Sequence, residues 1–403
     1  MKIAFQFYDK KNYSGGPAVN AVRLLTEFQN RGHEVHALIS YSGDYPNARL
    51  LMDAGIQCHL TELHKFTEDA VMWFMKEIEK AQPDIFVTNI SCQAGFSAKW
   101  IMKAGIPCII AHRSDDKRNW GLATYFASTN YGFKHSGVIC VNNYLKSVLE
   151  HQIGDHPPIK VIPSGVAESK FKTDQKNWKP IKFVYSGRLL EGQKRVSEML
   201  AAFKLILKHN FHAELTLIGS DSDETTRCYE RKTLSLGIED SVRILPKKTN
   251  EDYKRELSKN HILLLMSDYE GLPGSVMDGM SCGLIPVVLK FNGVEDLIIN
   301  GYNGIVLTDR SYSFVDAVEL LEQNLELRIK LSTNAVATIE NNFTTKIAAD
   351  LWESFMRDCI THSIPKRHFK KPQIIELPQT NPLLVEDKRK PTLLKKIKNH
   401  FTN

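Results

Sequence analysis

Cysteine pairs are the first thing this 403-residue chain lacks. Its seven cysteines (58, 92, 108, 140, 228, 282, 359) never come closer than sixteen positions apart, so no Cys-x-x-Cys offers a zinc site or a redox pair. Reduced thiols in the cytoplasm are the expectation. Long apolar runs are missing too. Runs such as Ile262–Met266 and Leu284–Leu289 are far short of the roughly 18 residues of a membrane-spanning helix, and none is expected. The apolar start stops at Asp9-Lys10-Lys11, too soon for the apolar core of a secretory signal. No two glycines stand at i and i+2, so there is no Gly-x-Gly-x-x-Gly. No Gly-Lys-Ser/Thr closes a phosphate loop, and His-Glu-x-x-His is absent as well. Dinucleotide dehydrogenases, P-loop kinases and zincins are thereby set aside.

What is present is the composition of a globular enzyme, 42% hydrophobic and 24% charged. The length exceeds one ordinary hydrophobic core, so two domains of similar size are expected. The net charge of +6 is unevenly placed. Residues 361–403 hold ten Lys/Arg against three Asp/Glu, a surplus of seven, which leaves −1 for residues 1–360. A neutral body argues against a nucleic-acid groove and moves any anionic partner to the tail.

Short β-branched or aromatic runs alternate with amphipathic stretches, the sign of β-α units around a parallel sheet. Lys2–Phe7, Glu34–Ser40, Asp84–Ile90, Pro107–His112 and Gly137–Asn142 read as strands, with helices over Pro17–Arg31 and near 68–81, 93–104 and 143–151. Pro17 suits a first helical turn. A second set follows at Ile181–Ser186, Glu214–Gly219, Val242–Leu245, Ile262–Ser267, Ile285–Leu289 and Gly304–Leu307. The join lies between Val161-Ile-Pro-Ser-Gly165 and Trp178-Lys-Pro180, where the periodicity fails. The expected organisation is α/β, two Rossmann-like doubly wound domains at 1–165 and 166–345, a helix at 346–360 crossing back to the first domain, and a basic tail at 361–403. Five prolines (365, 372, 378, 382, 391) make that tail unlike a packed domain. Its end, Thr392–Phe401, places Leu393, Leu394, Ile397 and Phe401 on one helical face with Lys395, Lys396 and Lys398 elsewhere. That pattern suits weak contact with an anionic membrane, and equally a solvated tail.

Two segments carry chemistry. The strand at Ile262–Met266 runs into Ser267-Asp-Tyr-Glu-Gly-Leu-Pro-Gly-Ser-Val-Met-Asp278, with a helix expected from about Ser275. Ligands of open α/β sheets sit at strand carboxyl ends, and a helix start offers free N–H groups to a phosphate. Two carboxylates flank that anion site: Glu270 in the loop, able to reach a sugar, and Asp278 in or near the first turn, able to accept ribose hydroxyls. Singly, each reads equally as an ordinary loop or first-turn acid. The second segment is Tyr185-Ser-Gly-Arg188-Leu-Leu-Glu-Gly-Gln-Lys194-Arg195, in which Arg188 leaves a strand tip and Lys194 opens a helix. A guanidinium fork and an ammonium placed so would neutralise a diphosphate.

The Arg188…Lys194 pair, the Glu270-x7-Asp278 segment and the Ser14-Gly-Gly16 loop together resemble the retaining glycosyltransferases of family 4, over roughly residues 1–360. The resemblance implies the GT-B fold and transfer of a sugar from a nucleotide diphosphate-sugar with retention of configuration. It implies that Arg188, Lys194, Gly16, Gly274 and Ser275 hold the diphosphate, Glu270 faces the transferred sugar and Asp278 holds the ribose. Gly15, Gly271, Leu272 and Pro273 would lie on the sugar and acceptor side. This chain has Asp278 where the family usually has glutamate, one methylene longer. The family often has a histidine near the donor sugar, and His112 in Ala111-His-Arg-Ser-Asp-Asp116 matches it by position, with a plain strand-end histidine as the equal alternative.

No cofactor and no metal are expected. Asp221-Ser-Asp223 invites an Asp-x-Asp manganese reading, but it follows a strand away from the carboxylate segment and reads as a helix cap with first-turn acids. The expected partners are a nucleotide-sugar donor and a glycan or lipid-linked acceptor, with no nucleic acid. The expected location is the cytoplasm, peripheral on the inner face of the membrane, in cell-envelope polysaccharide synthesis. Rival readings are a nucleotide-sugar epimerase, a catalytically silent partner subunit and a phosphorylase, the last without a lysine cofactor motif to support it.

Overall fold

Alternating apolar strands and one-sided helices bury themselves by layering, and the computed structural model shows two such layered bodies. It describes residues 1–10, 16–129, 133–220, 222–377 and 384. The first body runs β1 (Lys2–Lys10), α1 (Gly16–Asn30), β2 (Glu34–Ser42), α2 (Pro46–Asp53), β3 (Gln57–Glu62), α3 (Thr67–Ala81) and β4 (Ile85–Asn89). It continues α4 (Cys92–Ile101), β5 (Cys108–His112), α5 (Lys117–Ala127), β6 (Gly137–Cys140), α6 (Asn143–Gln152) and β7 (Ile159–Val161). Its seven parallel strands lie in the order β3-β2-β1-β4-β5-β6-β7.

The second body comprises β8 (Ile181–Ser186), α7 (Val196–Lys208), β9 (Ala213–Ser220), α8 (Asp223–Leu236), β10 (Val242–Pro246), α9 (Asn250–Leu257) and β11 (Ile262–Leu265). Then come α10 (Gly274–Ser281), β12 (Ile285–Leu289), β13 (Ile305–Leu307), α11 (Tyr312–Gln323) and α12 (Leu325–Asn342). Six parallel strands order as β10-β9-β8-β11-β12-β13. These are the two Rossmann-like sheets expected from the alternation.

The last helix, α13 (Thr345–Thr361), closes back on the first body as expected. Ala349, Trp352, Phe355 and Met356 bury against Ile3, Phe5 and Phe28, with the Trp352 and Phe5 rings 5.9 Å apart. Arg31 at the end of α1 clamps this helix through Asp350 at 2.5 Å and Glu353 at 3.2 Å. The first part of the tail also packs on the first body, but on its other core cluster: the Arg367 amide donates to the Ala104 carbonyl at 2.8 Å and Phe369 is buried with Phe74, Phe86 and Ile101. The amphipathic segment Thr392–Phe401 lies outside the described residues.

Four elements were not anticipated: β3, β7, α2 and α5. β3 is an edge strand with no fully buried residue, so its sequence Gln-Cys-His-Leu-Thr-Glu carries no apolar run. β7 is a three-residue edge strand, too short to show a period. α5 opens on Lys117-Arg118-Asn119 and interrupts its apolar stripe with Gly121, which hides its periodicity.

Candidate functional site

In each sheet the chain reverses direction once, between β1 and β4 in the first body and between β8 and β11 in the second. Loops leaving two such strands part to opposite sides and open a crevice at their carboxyl ends, where ligands of doubly wound sheets sit. In this molecule the two crevices face each other. The Gly271 loop after β11 forms an antiparallel bridge with Ser114 after β5. The Asp115 amide donates to the Glu270 carbonyl at 3.3 Å, and Asn142 donates to the Gly271 carbonyl at 2.8 Å while its Oδ1 caps α6 through the Leu145 amide. A Cβ on Gly271 would lie 1.9 Å from the Arg113 carbonyl oxygen, so only glycine permits this closure.

The second-domain crevice holds the two sequence-predicted segments side by side. Lys194, just before α7, forms an ion pair with Glu270 Oε1, and both side chains are nearly out of solvent. Gln193 ties the same two loops, donating from Nε2 to the Tyr269 carbonyl at 2.9 Å and accepting at its own carbonyl from the Asp268 amide at 3.0 Å. Arg188 is exposed at the tip of the β8 loop, its nearest side-chain partner being Gln193 Oε1 at 3.4 Å. Burial, together with the nearby Glu270 charge, pushes the Tyr185 phenol up, while Arg188 pulls it down, so the guanidinium and the carboxylate act on one spot. α10 starts at Gly274 with Pro273 as its cap residue and no capping side chain. A Cβ on Gly274 would meet nothing within 4 Å, and one on Gly16 at the start of α1 nothing within 4 Å among the described residues. The α10 start therefore has open space beside it, and an uncapped helix start presents N–H groups and a positive dipole end. Gly15 lies outside the described residues.

Asp278 lies near the first turn of α10, as its fifth residue, and is only 5% exposed. Lys254 Nζ on α9 meets its Oδ1 at 2.8 Å, and Arg23 of α1 reaches across the cleft to Oδ1 at 3.2 Å and Oδ2 at 3.0 Å. Burial pushes the Asp278 carboxyl up, but Arg23 and Lys254 outweigh it and hold the group below the usual carboxylate range. Both oxygens are thus occupied by cations, one from each domain. Lys254 also bonds Ser281 Oγ at 2.5 Å. Neither cation was singled out from sequence. Lys254 sits in Asn-Glu-Asp-Tyr-Lys-Arg-Glu-Leu, which reads as a solvated helix face, and Arg23 is one polar residue of an amphipathic helix.

His112 ends β5 fully buried, with its ring edge-on to Trp120 at 4.2 Å. Neither ring nitrogen has a hydrogen-bond partner among the described residues. Burial pushes its pKa down to about 3. Two other histidines share this state: burial pushes His135 down to about 3 and His261, stacked on Trp178 at 5.4 Å, to about 4. The unfolded chain protonates these rings near pH 6.5 and the folded one does not. Their contribution to stability is therefore complete above pH 6.5 and is lost as pH falls below it, by about 1.4 kcal/mol per pH unit for each ring. Tm is expected to drop steeply between pH 7 and 5, and a flat thermal-melt profile over that range would contradict it.

At the predicted Asp-x-Asp, Ser222 caps α8 by accepting the Thr225 amide at 3.1 Å, and Asp223 lies in the first turn, the capping arrangement expected. Asp221 lies outside the described residues.

Comparison with known proteins agrees with this geometry. The family model described as Glycosyltransferase Family 4 matches residues 14–170, and that described as Glycosyl transferases group 1 matches 166–338. Together they tile both domains, and the chain belongs to the family-4-type glycosyltransferases. The UDP-Gal:alpha-D-GlcNAc-diphosphoundecaprenol alpha-1,3-galactosyltransferase of Escherichia coli is 25% identical over 290 residues, 66% of this chain and 73% of that one. A lipopolysaccharide 1,6-galactosyltransferase of Salmonella typhimurium is 34% identical over 136 residues, 32% of this chain and 36% of its own length. Among solved structures, Anabaena HepE in complex with UDP superposes with a TM-score of 0.71 at 17% identity, over 89% of this chain and all of that one. At that identity the likeness establishes the fold, GT-B. Other relatives are named as glycosyltransferases too, among them an amylovoran biosynthesis glycosyltransferase of Erwinia amylovora and a GDP-mannose:cellobiosyl-diphosphopolyprenol alpha-mannosyltransferase of Komagataeibacter xylinus.

Proposed function

We propose that this protein transfers a sugar from a nucleotide diphosphate-sugar, UDP-linked rather than GDP-linked, to a glycan or lipid-linked acceptor in cell-envelope polysaccharide synthesis, with retention of configuration. The observation that carries this reading is the gathering of Arg188, the Lys194–Glu270 pair and the uncapped start of α10 at one crevice facing a second domain. In this reading the donor diphosphate lies along Gly274 and Ser275, with Arg188 and Lys194 opposite it and Gly16 approaching from the first domain. The bond from the anomeric carbon to the β-phosphate oxygen breaks as the acceptor oxygen bonds to the same face. The acceptor's proton passes to the departing phosphate. Positive groups fixed before reaction stabilise that developing charge. Glu270 holds Lys194 in place and faces the sugar, along with Gly271, Leu272, Pro273 and His112. Neutral as its burial makes it, His112 would serve as a hydrogen-bonding group rather than an acid.

With two cations and a helix start at the leaving group, we propose that no metal is required. A UDP-galactose-dependent relative and UDP-bound structural neighbours support the choice of nucleotide. Among the described residues no helix is long and apolar enough to cross a membrane, and membrane contact is assigned to the basic tail. A second reading, a silent binding subunit, draws on Asp278, whose oxygens already serve two cations.

Titration of UDP and GDP into wild type and Arg188→Ala in EDTA, followed by thermal shift, tests the reading. Saturable stabilisation by UDP, weakened at least tenfold in the variant, is expected. Binding of neither nucleotide would give the ground to the silent subunit.

A further inference from the structure

Arg113 follows His112 at the carboxyl end of β5 and is only 9% exposed. Its guanidinium is held by neutral groups alone: Nε donates to Asn89 Oδ1 at 2.8 Å, Nη1 to Asn20 Oδ1 at 3.2 Å. Nη2 has no partner among the described residues, and Asn89 Nδ2 beside it has none either. Burial, with no carboxylate to oppose it, pushes the guanidinium down to about 10. The segment 11–15 between β1 and α1, Lys-Asn-Tyr-Ser-Gly, contains no acid in its sequence. A buried cation without a counter-charge is costly, and proteins ordinarily pair such groups.

The location gives the cost a purpose. Asn89 ends β4 with a left-handed backbone (φ 48°), Asn20 is on α1 and Arg113 ends β5, so the three converge on the chain-reversal crevice of the first domain. The Gly271 loop of the second domain packs directly on the Arg113 carbonyl. Parting of the domains would lift that loop away and open this corner to a ligand. The donors here that have no partner among the described residues, Nη2 and Asn89 Nδ2, suit an oxygen that brings a full negative charge. The donor's diphosphate has Arg188, Lys194 and the α10 start on the opposite wall.

We propose that Arg113, positioned by Asn20 and Asn89, is an anion subsite on the first-domain wall that takes a phosphate oxygen of the acceptor. The proposal rests on the transferase reading, and it narrows the acceptor to one bearing phosphate next to the sugar that is extended. Arg113 is then a substrate-binding residue, and its buried charge is a stability sacrifice at a binding site.

The test uses the full chain and inorganic pyrophosphate as the probe, titrated into wild type, Arg113→Gln and Arg188→Ala by calorimetry, with and without saturating UDP. The expected result is pyrophosphate binding that survives in UDP-loaded wild type and in Arg188→Ala and falls at least tenfold in Arg113→Gln. UDP affinity should stay within about threefold in Arg113→Gln. Removing an unpaired buried charge should leave its Tm unchanged or raised, whereas a purely structural arginine would lower it. Asn20→Asp supplies an acid against Nη1 without removing the arginine and should weaken pyrophosphate equally. Failure of UDP-loaded wild type to bind pyrophosphate, or loss of UDP rather than pyrophosphate in Arg113→Gln, would overturn the subsite. Failure of UDP to bind wild type counts against the transferase reading alone, because the Arg188→Ala titration still reports on Arg113.

Discussion

Replacing Lys194 by alanine is expected to lower turnover by roughly 10²–10³-fold, the effect of removing one preorganised positive group from a developing anion. The same change removes the counter-charge of a nearly buried Glu270, so stability should fall as well. The two effects separate in the double variant Lys194→Ala/Glu270→Gln. With both charges gone the desolvated carboxylate no longer lacks a partner, and Tm should recover most of its loss. Turnover should not recover, because the diphosphate still lacks its ammonium. The comparison is made with thermal melts and with nucleotide release from whichever nucleotide-sugar wild type accepts. Recovery of turnover with Tm would mean that Lys194 only supports the Glu270 loop. A near-normal rate in the single variant would remove Lys194 from the leaving-group role.

The strands that could be read from sequence are those that carry an apolar run, whether buried in the middle of a sheet or at its edge. Ile181–Ser186 and Ile285–Leu289 coincide with β8 and β12, and the expected Ile262 strand is the central β11. The edge strands of the first sheet escaped, β3 because it is half-exposed and keeps polar side chains along its length and β7 because it has three residues, whereas the apolar edge strands β10 and β13 of the second sheet were read. The candidate site divides between local and cross-domain signals. Arg188 and Lys194 after β8 and Glu270 after β11 stood out by their neighbours in sequence, and the fold brings the two loops side by side. Groups whose role exists only across the cleft were not. Arg23 gains its partner Asp278 from 255 positions away, and Arg113 is distinguished only by the acid it lacks. Gly271 was placed on the acceptor side, yet its need to be glycine arises from the Arg113 carbonyl of the other domain. No local pattern encodes such pairings.

Asp278→Ala is expected to destabilise the protein by about 3–5 kcal/mol, since it strands Lys254, and partly Arg23, without their acid. For a domain of this size that corresponds to a Tm lower by about 6–20 °C. Arg23→Ala should behave differently. The Lys254–Asp278 pair remains, Arg23 is the more exposed partner, and the stability change should stay within about 1 kcal/mol. Its main effect should be on nucleotide binding. Arg23 bonds both Asp278 oxygens, so ribose hydroxyls would have to displace it. Removing Arg23 frees one oxygen and unlatches α1 from α10, and UDP affinity should rise several-fold. A fall in UDP affinity would instead make Arg23 part of the nucleotide site. Unchanged affinity in Arg23→Ala, with Asp278→Asn binding UDP normally, would leave Asp278 a purely structural ion-pair centre. The ribose would then need another acceptor, and the shorter side chain at this position would be explained by its two cations rather than by the nucleotide.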